Sequence, residues 1–424
     1  MSPRDRSIGV GLLGLGVVGG GVAQALTEKR SLIASQIGCP VHIARILVRD
    51  LEKPRALAMP PGLLTTDPRD ILENPGVDIV IEVMGGERPA LDYICRALDQ
   101  GKSVVTANKE VMAKHGPDLL ALAAKKGARV LFEASVGGGI PIVRPLLKDL
   151  RANEIAAIRA IINGTTNYIL TKMTYEEVDF AQALREAQEL GYAESDPTND
   201  VEGIDAAYKL AILASIAFQT KVHAQDVYRE GISRLKAKDF RYARELGYVI
   251  KLMAIAKRAG DEVEVRVHPA LIPQEVPLAK VDGVFNAVEV EGDLVGRVLF
   301  HGRGAGAMPT TSAVMGDILD IAWNIARGIR GGHSVPPDRV MGIRPIAALV
   351  ARYYIRMTVA DRSGVLAQIA RVLGDLQISI ASVIQKEADP QAQTAEIVIT
   401  THPSRERDVQ QALKDLEVLG VVRE

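Results

Sequence analysis

Cysteine is nearly absent: Cys39 and Cys95 are the only two in 424 residues. That excludes a disulfide framework or a cysteine-based zinc site and fits a reducing compartment, so cytoplasm is the expected location. An excess of one charge is also missing. Lys plus Arg number 51 against 52 for Asp plus Glu, so no overall field draws in nucleic acid or an anionic membrane, and a small-molecule partner is expected. Long apolar runs are lacking too. Residues 7–27, behind Arg4 and Arg6, imitate a secretory signal, but seven of them are glycines (9, 11, 14, 16, 19, 20, 21). Each interior glycine costs a helix about 1 kcal/mol, so neither a signal helix nor a membrane span is expected.

What is present is ordinary globular usage, 47% apolar and 24% charged. The length exceeds the ~250–300 residues at which one core stops growing, which predicts two or three domains. Short apolar runs over 8–13, 42–48, 78–83, 103–106 and 129–133 alternate with helical-period segments over 17–35, 89–100 and 117–126. This is the pattern of a doubly wound α/β fold, a Rossmann-like dinucleotide-binding domain over 1–140. Residues 141–326 then read as an α+β domain for substrate and catalysis. Its helices are expected near 141–150, 175–190 and 203–218, and its strands near 247–255, 262–267, 285–290 and 294–299. A linker at 327–350, with Pro336 and Pro337, leads to a strand–helix–strand–strand–helix–strand module over 351–424. That order is ferredoxin-like.

Six stretches can carry chemistry. Gly14-Leu15-Gly16-Val17-Val18-Gly19 is a GxGxxG between a strand and a helix, where glycines admit a pyrophosphate to the helix N-terminus. After the second strand stand Arg49, suited to a 2′-phosphate and hence NADP, and Asp50, suited to a free 2′-hydroxyl and hence NAD. The balance leans to NADP with NAD tolerated. Thr106, Ala107, Asn108 and Lys109 close another strand at the edge where ligands of open sheets collect; Lys109 could meet substrate or simply open the next helix. The run from Glu133 through Gly137, Gly138 and Gly139 to Pro141 could offer one carboxylate and several carbonyls to a cation, or serve as a hinge. The densest block joins Asn163-Gly164-Thr165-Thr166-Asn167 to Glu194, Asp196, Asp200, Asp205 and Lys209. Asp205 and Lys209 share a helix face at i,i+4, and their apolar neighbours Ala206, Ala207 and Leu210 predict burial, hence an acid/base pair tuned by its surroundings. Last, Gly302-Arg303-Gly304-Ala305-Gly306 could close over a cofactor.

Taken in order, GLGVVG, VTANK, EASVGGGIP, INGTTNYIL, GYAESDPTNDVEGIDAAYKL and GRGAGAMPTTSAV resemble homoserine dehydrogenase over residues 8–325. The terminal module, entered by Asp361-Arg362-Ser363-Gly364-Val365-Leu366, resembles an ACT regulatory domain, and the monofunctional form is the one matched because no kinase-like region precedes the dinucleotide fold. The resemblance implies NAD(P)H-dependent, reversible reduction of L-aspartate 4-semialdehyde to L-homoserine, towards threonine and methionine. It implies Lys209 as proton donor, assisted by Lys109 and oriented by Asp205, with Glu194, Asp200 and Asp205 on the substrate. Cofactor contacts would fall at Gly14, Leu15, Gly16, Val17, Val18, Gly19, Arg49, Thr106, Lys109 and Gly304. A sodium or potassium ion would be held by Glu133 and the carbonyls of Val136, Gly138 and Ile140. Threonine is the implied effector, and a homodimer or homotetramer the implied assembly. Another semialdehyde or 2-hydroxy-acid dehydrogenase is the nearest rival; a sensor without catalysis would have no use for the acid/base pair.

Overall fold

The computed structural model describes residues 7–55, 60–329, 331, 339–389 and 391–424. Arg4 and Arg6, and linker positions 330 and 332–338 with Pro336 and Pro337, lie outside the described residues.

Six parallel strands form the first sheet, in the order Leu64–Thr65, Val41–Leu47, Ile8–Leu13, Ile79–Glu82, Ser103–Thr106, Val130–Leu131. Every residue of Ile8–Leu13 is buried, because helices cover both faces of a parallel sheet. Ile8, Val10 and Leu12 pack against Val22 and Leu26 of helix Val17–Glu28 and against Val314, Ile318 and Ile321 of helix Ala307–Ala326. That last helix falls in the stretch read from sequence as the middle domain, yet it seals the first sheet. Strand order reverses between Ile8–Leu13 and Ile79–Glu82, which opens a crevice at the strand ends.

Several elements differ from expectation. The helix read over 17–35 is two, Val17–Glu28 and Arg30–Ile37, interrupted at Lys29; nothing in the local sequence marks the break. The helix read from Pro117 begins at Lys109 and keeps Pro117 inside it. Asn108 caps it, its side chain accepting from Val111 N at 3.1 Å, and this cap outweighs the proline as a start signal. The helix read over 175–190 is Phe180–Glu189; before it lies helix Gly164–Glu176, not anticipated from sequence, which ends at Glu177 in a left-handed conformation.

The second sheet runs Gly296–Arg303, Phe285–Gly292, Ile155–Ile161, Tyr248–Ala259, Glu262–Pro273, Gly342–Ile343, with Tyr228–Arg229 also paired to Glu262–Pro273. Strand Ile155–Ile161, not anticipated from sequence, lies near its middle. Helix Ile204–Phe218 packs on this sheet through Ala207, Leu210, Ala211 and Ala214. The third sheet has three antiparallel strands, Tyr354–Ala360, Thr394–Thr401 and Ile380–Asp389. The fourth strand expected at 418–422 is reduced to one bridge, Val359 to Val422. This module rests on helix Ala237–Glu245, where Asp239 accepts from Arg356 at 2.6 Å and Tyr354 at 3.1 Å. Among the described residues no helix is long and apolar enough to cross a membrane.

Candidate active site

The nucleotide loop is built by its glycines. Gly14 has φ +101°, and a Cβ on Gly19 would stand 2.2 Å from the Gly14 carbonyl oxygen, so strand and helix meet only without a side chain there. Gly16 caps helix Val17–Glu28 with no side-chain hydrogen bond, and a Cβ there would meet nothing within 4 Å. The free N–H groups therefore face open space, a cradle that fits a pyrophosphate. Leu15 and Val18 are half-buried beneath it, packed on the core. Gly19→Ala is expected to raise the dissociation constant for the coenzyme about fivefold to a hundredfold, since overpacking of this kind costs roughly 1–3 kcal/mol. Fluorescence titration with NADPH measures it, and unaltered affinity would contradict the role given to this turn. Arg49 and Asp50 are both exposed. The Asp50 carboxylate accepts from Glu52 N at 2.8 Å, whereas among the described residues the Arg49 guanidinium has no partner.

Thr106, expected at the cofactor, ends the strand Ser103–Thr106. Its side chain is wholly buried, donating to Glu82 at 2.6 Å and accepting from Asn108 N at 3.0 Å. Glu82 in turn accepts from Met84 N at 2.8 Å. The Thr106 hydroxyl thereby ties together two loops at the strand ends.

Three helices then bring separate charges together. Asp205, in the first turn of Ile204–Phe218, is buried and hydrogen-bonded to the ammoniums of both Lys109 and Lys209, the latter at 2.7 Å. Lys209 gives a second bond to the Ile162 carbonyl at 2.8 Å. Asn163, the cap of helix Gly164–Glu176, donates to Asp205 at 2.9 Å and to Asp200 at 2.7 Å. Burial pushes the Asp205 carboxyl upward, but the Lys209 and Lys109 charges outweigh it and hold the group well below the usual carboxylate range. Burial likewise opposes charge on Lys109, but Asp205, then Asp200 and Glu194, raise its proton affinity. Glu194 is exposed and Asp200 half-buried. Two cationic donors, one clamping carboxylate and two outer carboxylates thus converge on one spot. Chemically, such a spot can give a proton to an oxygen and bind an ammonium.

The Glu133 carboxylate is buried. Its oxygens accept from Ile142 N at 2.6 Å, Val143 N at 2.9 Å and Arg144 N at 2.7 Å, capping helix Val143–Leu147. They satisfy the N–H groups of a helix N-terminus. The backbone does fit a cation. Val136, Gly138 and Ile140 are buried, and among the described residues no hydrogen-bond donor reaches their carbonyls, a debt that buried backbone rarely carries. Among the described residues no cluster of three His, Cys, Asp or Glu side chains could hold a metal. Gly304 sits against this loop: Gly139 N donates to the Arg303 carbonyl at 3.1 Å, and a Cβ on Gly138 would stand 2.4 Å from the Gly304 oxygen.

Sequence reasoning named Asn163 without giving it a positioning role and missed two groups altogether, the Ile162 carbonyl and Glu82. Asn163 carried a signal, an Asn placed to cap a helix; the Ile162 carbonyl and the burial of Glu82 had none.

Residues 14–133 match the family described as homoserine dehydrogenase, NAD binding domain, and residues 141–319 match homoserine dehydrogenase. The homoserine dehydrogenase of Bacillus subtilis is 43% identical, over 99% of this chain and 97% of its own. The chain belongs to the homoserine dehydrogenase family. That of Synechocystis is 44% identical, over 99% of this chain and 98% of its own. The crystal structure of the Thiobacillus denitrificans homoserine dehydrogenase superposes with a TM-score of 0.92 at 45% identity, covering 99% of this chain and 96% of that one. A hyperthermophilic archaeal homoserine dehydrogenase solved in complex with NADPH gives 0.61 at 26% identity, covering 74% of this chain and 98% of that one. Residues 353–421 match the ACT domain. The enzyme is thus a homoserine dehydrogenase-family NAD(P)-dependent oxidoreductase with a regulatory-type module.

Proposed function

We propose that Lys209 is the proton donor in the reversible reduction of L-aspartate 4-semialdehyde to L-homoserine, with Lys109 polarising the same oxygen. The observation that carries this is the shared clamp: Asp205 bonded to both ammoniums. A bound reduced nicotinamide supplies the hydride. As negative charge grows on the carbonyl oxygen, Lys209, with two of its three N–H groups bonded to Asp205 and Ile162, has one left to aim at it. Glu194 and Asp200 take the substrate α-ammonium. Mixing purified protein with homoserine and NADP and following the reduced-nicotinamide absorbance tests the reading; no growth of that band would end it.

The coenzyme is NADP by preference, with NAD tolerated, since Arg49 is free to pair with a 2′-phosphate while Asp50 serves its own loop. Arg49→Ala is then expected to raise KM for NADPH about tenfold or more and leave KM for NADH nearly unmoved; equal changes would remove the assignment. The fold's coenzyme loop is Gly14 to Gly19, with Gly304 and Lys109 towards the nicotinamide end. A sodium or potassium ion sits on the Val136, Gly138 and Ile140 carbonyls and, given the use of its carboxylate, on the Glu133 backbone oxygen. Replacing sodium and potassium by choline at constant ionic strength should lower the rate severalfold; full activity in choline would exclude the ion. We assign residues 1–140 to coenzyme, 141–326 to substrate and 351–424 to an amino-acid effector, threonine first, in a homodimer or homotetramer working in the cytoplasm in threonine and methionine biosynthesis.

A further inference from the structure

Asn108 does more than begin a helix. Its Oδ1 caps helix Lys109–Lys125 by accepting from Val111 N at 3.1 Å, and its Nδ2 donates to the Gly86 carbonyl at 2.7 Å. The cap alone needs no amide, since Asp or Ser would serve it as well. Only the donated N–H calls for asparagine. Its target lies in the loop 83–86, which leaves strand Ile79–Glu82 beside the point where strand order reverses. That loop borders the coenzyme turn, for a Cβ on Gly14 would stand 3.2 Å from both the Val83 oxygen and Met84 Cγ. Its other side is open: a Cβ on Gly85 or Gly86 would meet nothing within 4 Å. The hydrogen bonds close a ring around it. Glu82 accepts from Met84 N and Thr106 Oγ1, Thr106 Oγ1 accepts from Asn108 N, and Asn108 returns to Gly86.

We propose that Asn108 is a positioning residue for the coenzyme: it pins the loop 83–86 beside the turn at Gly14 to Gly19 and sets it in register with the helix start that bears Lys109. The inference rests on the reading of that turn as the coenzyme site and of Lys109 as a group at the nicotinamide end. A loop with two adjacent glycines has many conformations, and those must be given up when a coenzyme lies against it. A hydrogen bond that holds the loop beforehand removes that cost from binding. Because Lys109 follows Asn108 in the chain, the same residue also ties the loop to the ammonium bonded to Asp205. Asn163 makes parallel use of its amide, capping through Oδ1 and donating through Nδ2 to Asp200 and Asp205.

Asn108→Ser tests the assignment, because serine keeps the cap and carries neither the amide nor a charge. The dissociation constant for NADPH, from fluorescence titration, is expected to rise about two- to tenfold, the span of one net hydrogen bond. KM for NADPH should rise by a larger factor than kcat falls. In the coenzyme-free protein, hydrogen–deuterium exchange should quicken at residues 83–87 and keep the parent rate over helix Lys109–Lys125. A residue that served only as a cap would move none of these. Parent NADPH affinity, parent exchange at 83–87, or a loss confined to kcat would overturn the assignment. Should Asn108→Ser fail to fold, Asn108→Asp, which also caps but sets a carboxylate against the Gly86 carbonyl, is judged by the same exchange measurement. Titration and exchange are independent of homoserine turnover, so a failure of the dehydrogenase reading shows separately, in the parent protein with homoserine and NADP.

Discussion

Replacing Lys209 by alanine is expected to lower kcat for homoserine oxidation by about 10²–10⁴ and leave NADPH affinity within a factor of about two, the range general acid–base catalysis supplies. The separation follows from location: Lys209 is bonded to Asp205 and the Ile162 carbonyl, while the coenzyme turn at Gly14 to Gly19 belongs to another sheet. Lys209→Arg should not rescue, because a guanidinium stays protonated and cannot take the proton back in the oxidation direction. Stopped-flow absorbance and coenzyme titration on the same preparation measure both quantities. Turnover near the parent value would transfer the acid role to Lys109.

Asp205→Asn should be nearly as damaging, for a different reason. The carboxylate stands between two ammoniums, and without it they face each other uncompensated, so Lys109, whose proton affinity Asp205 raises, holds its proton less tightly. Reduction of the aldehyde needs a protonated lysine, so the falling high-pH limb of kcat should move to lower pH, with a loss of about 10²-fold at neutral pH. Breaking a buried pair also costs about 3–5 kcal/mol of stability. Because the folded carboxyl is held low by those ammoniums, its stabilising effect is complete well above the unfolded pKa of about 3.9 and fades as pH falls through the folded value. The parent protein should therefore lose more stability than the variant on acidification. A pH–rate profile with an unmoved limb, in a variant shown to be folded by circular dichroism, would contradict the clamp.

The parts of the site that a reader of the chain could find are those fixed by neighbours within a few residues. The spacing of Gly14, Gly16 and Gly19 between an apolar run and a helix already demands a phosphate-type turn. The i,i+4 step from Asp205 to Lys209 puts both on one helix face whatever the fold. Partners that come from afar were not legible. The chain turns back so that Ile142, Val143 and Arg144 present three N–H groups to Glu133, and the sheet sets Thr106 beside Glu82 of the adjacent strand. Pro117 was read as a helix start, though a stronger cap stood nine residues earlier at Asn108.

By itself the order of residues determined the alternating elements, the coenzyme turn and which side chains could do acid–base work, because periodicity, turn geometry and charge are local or compositional properties. Only the tertiary structure decided that Lys109 reaches Asp205, 96 residues away, and that Asn163 joins Asp200 to Asp205. Those pairings depend on how two sheets and their helices pack, and no short-range pattern encodes the distance between side chains carried on separate elements.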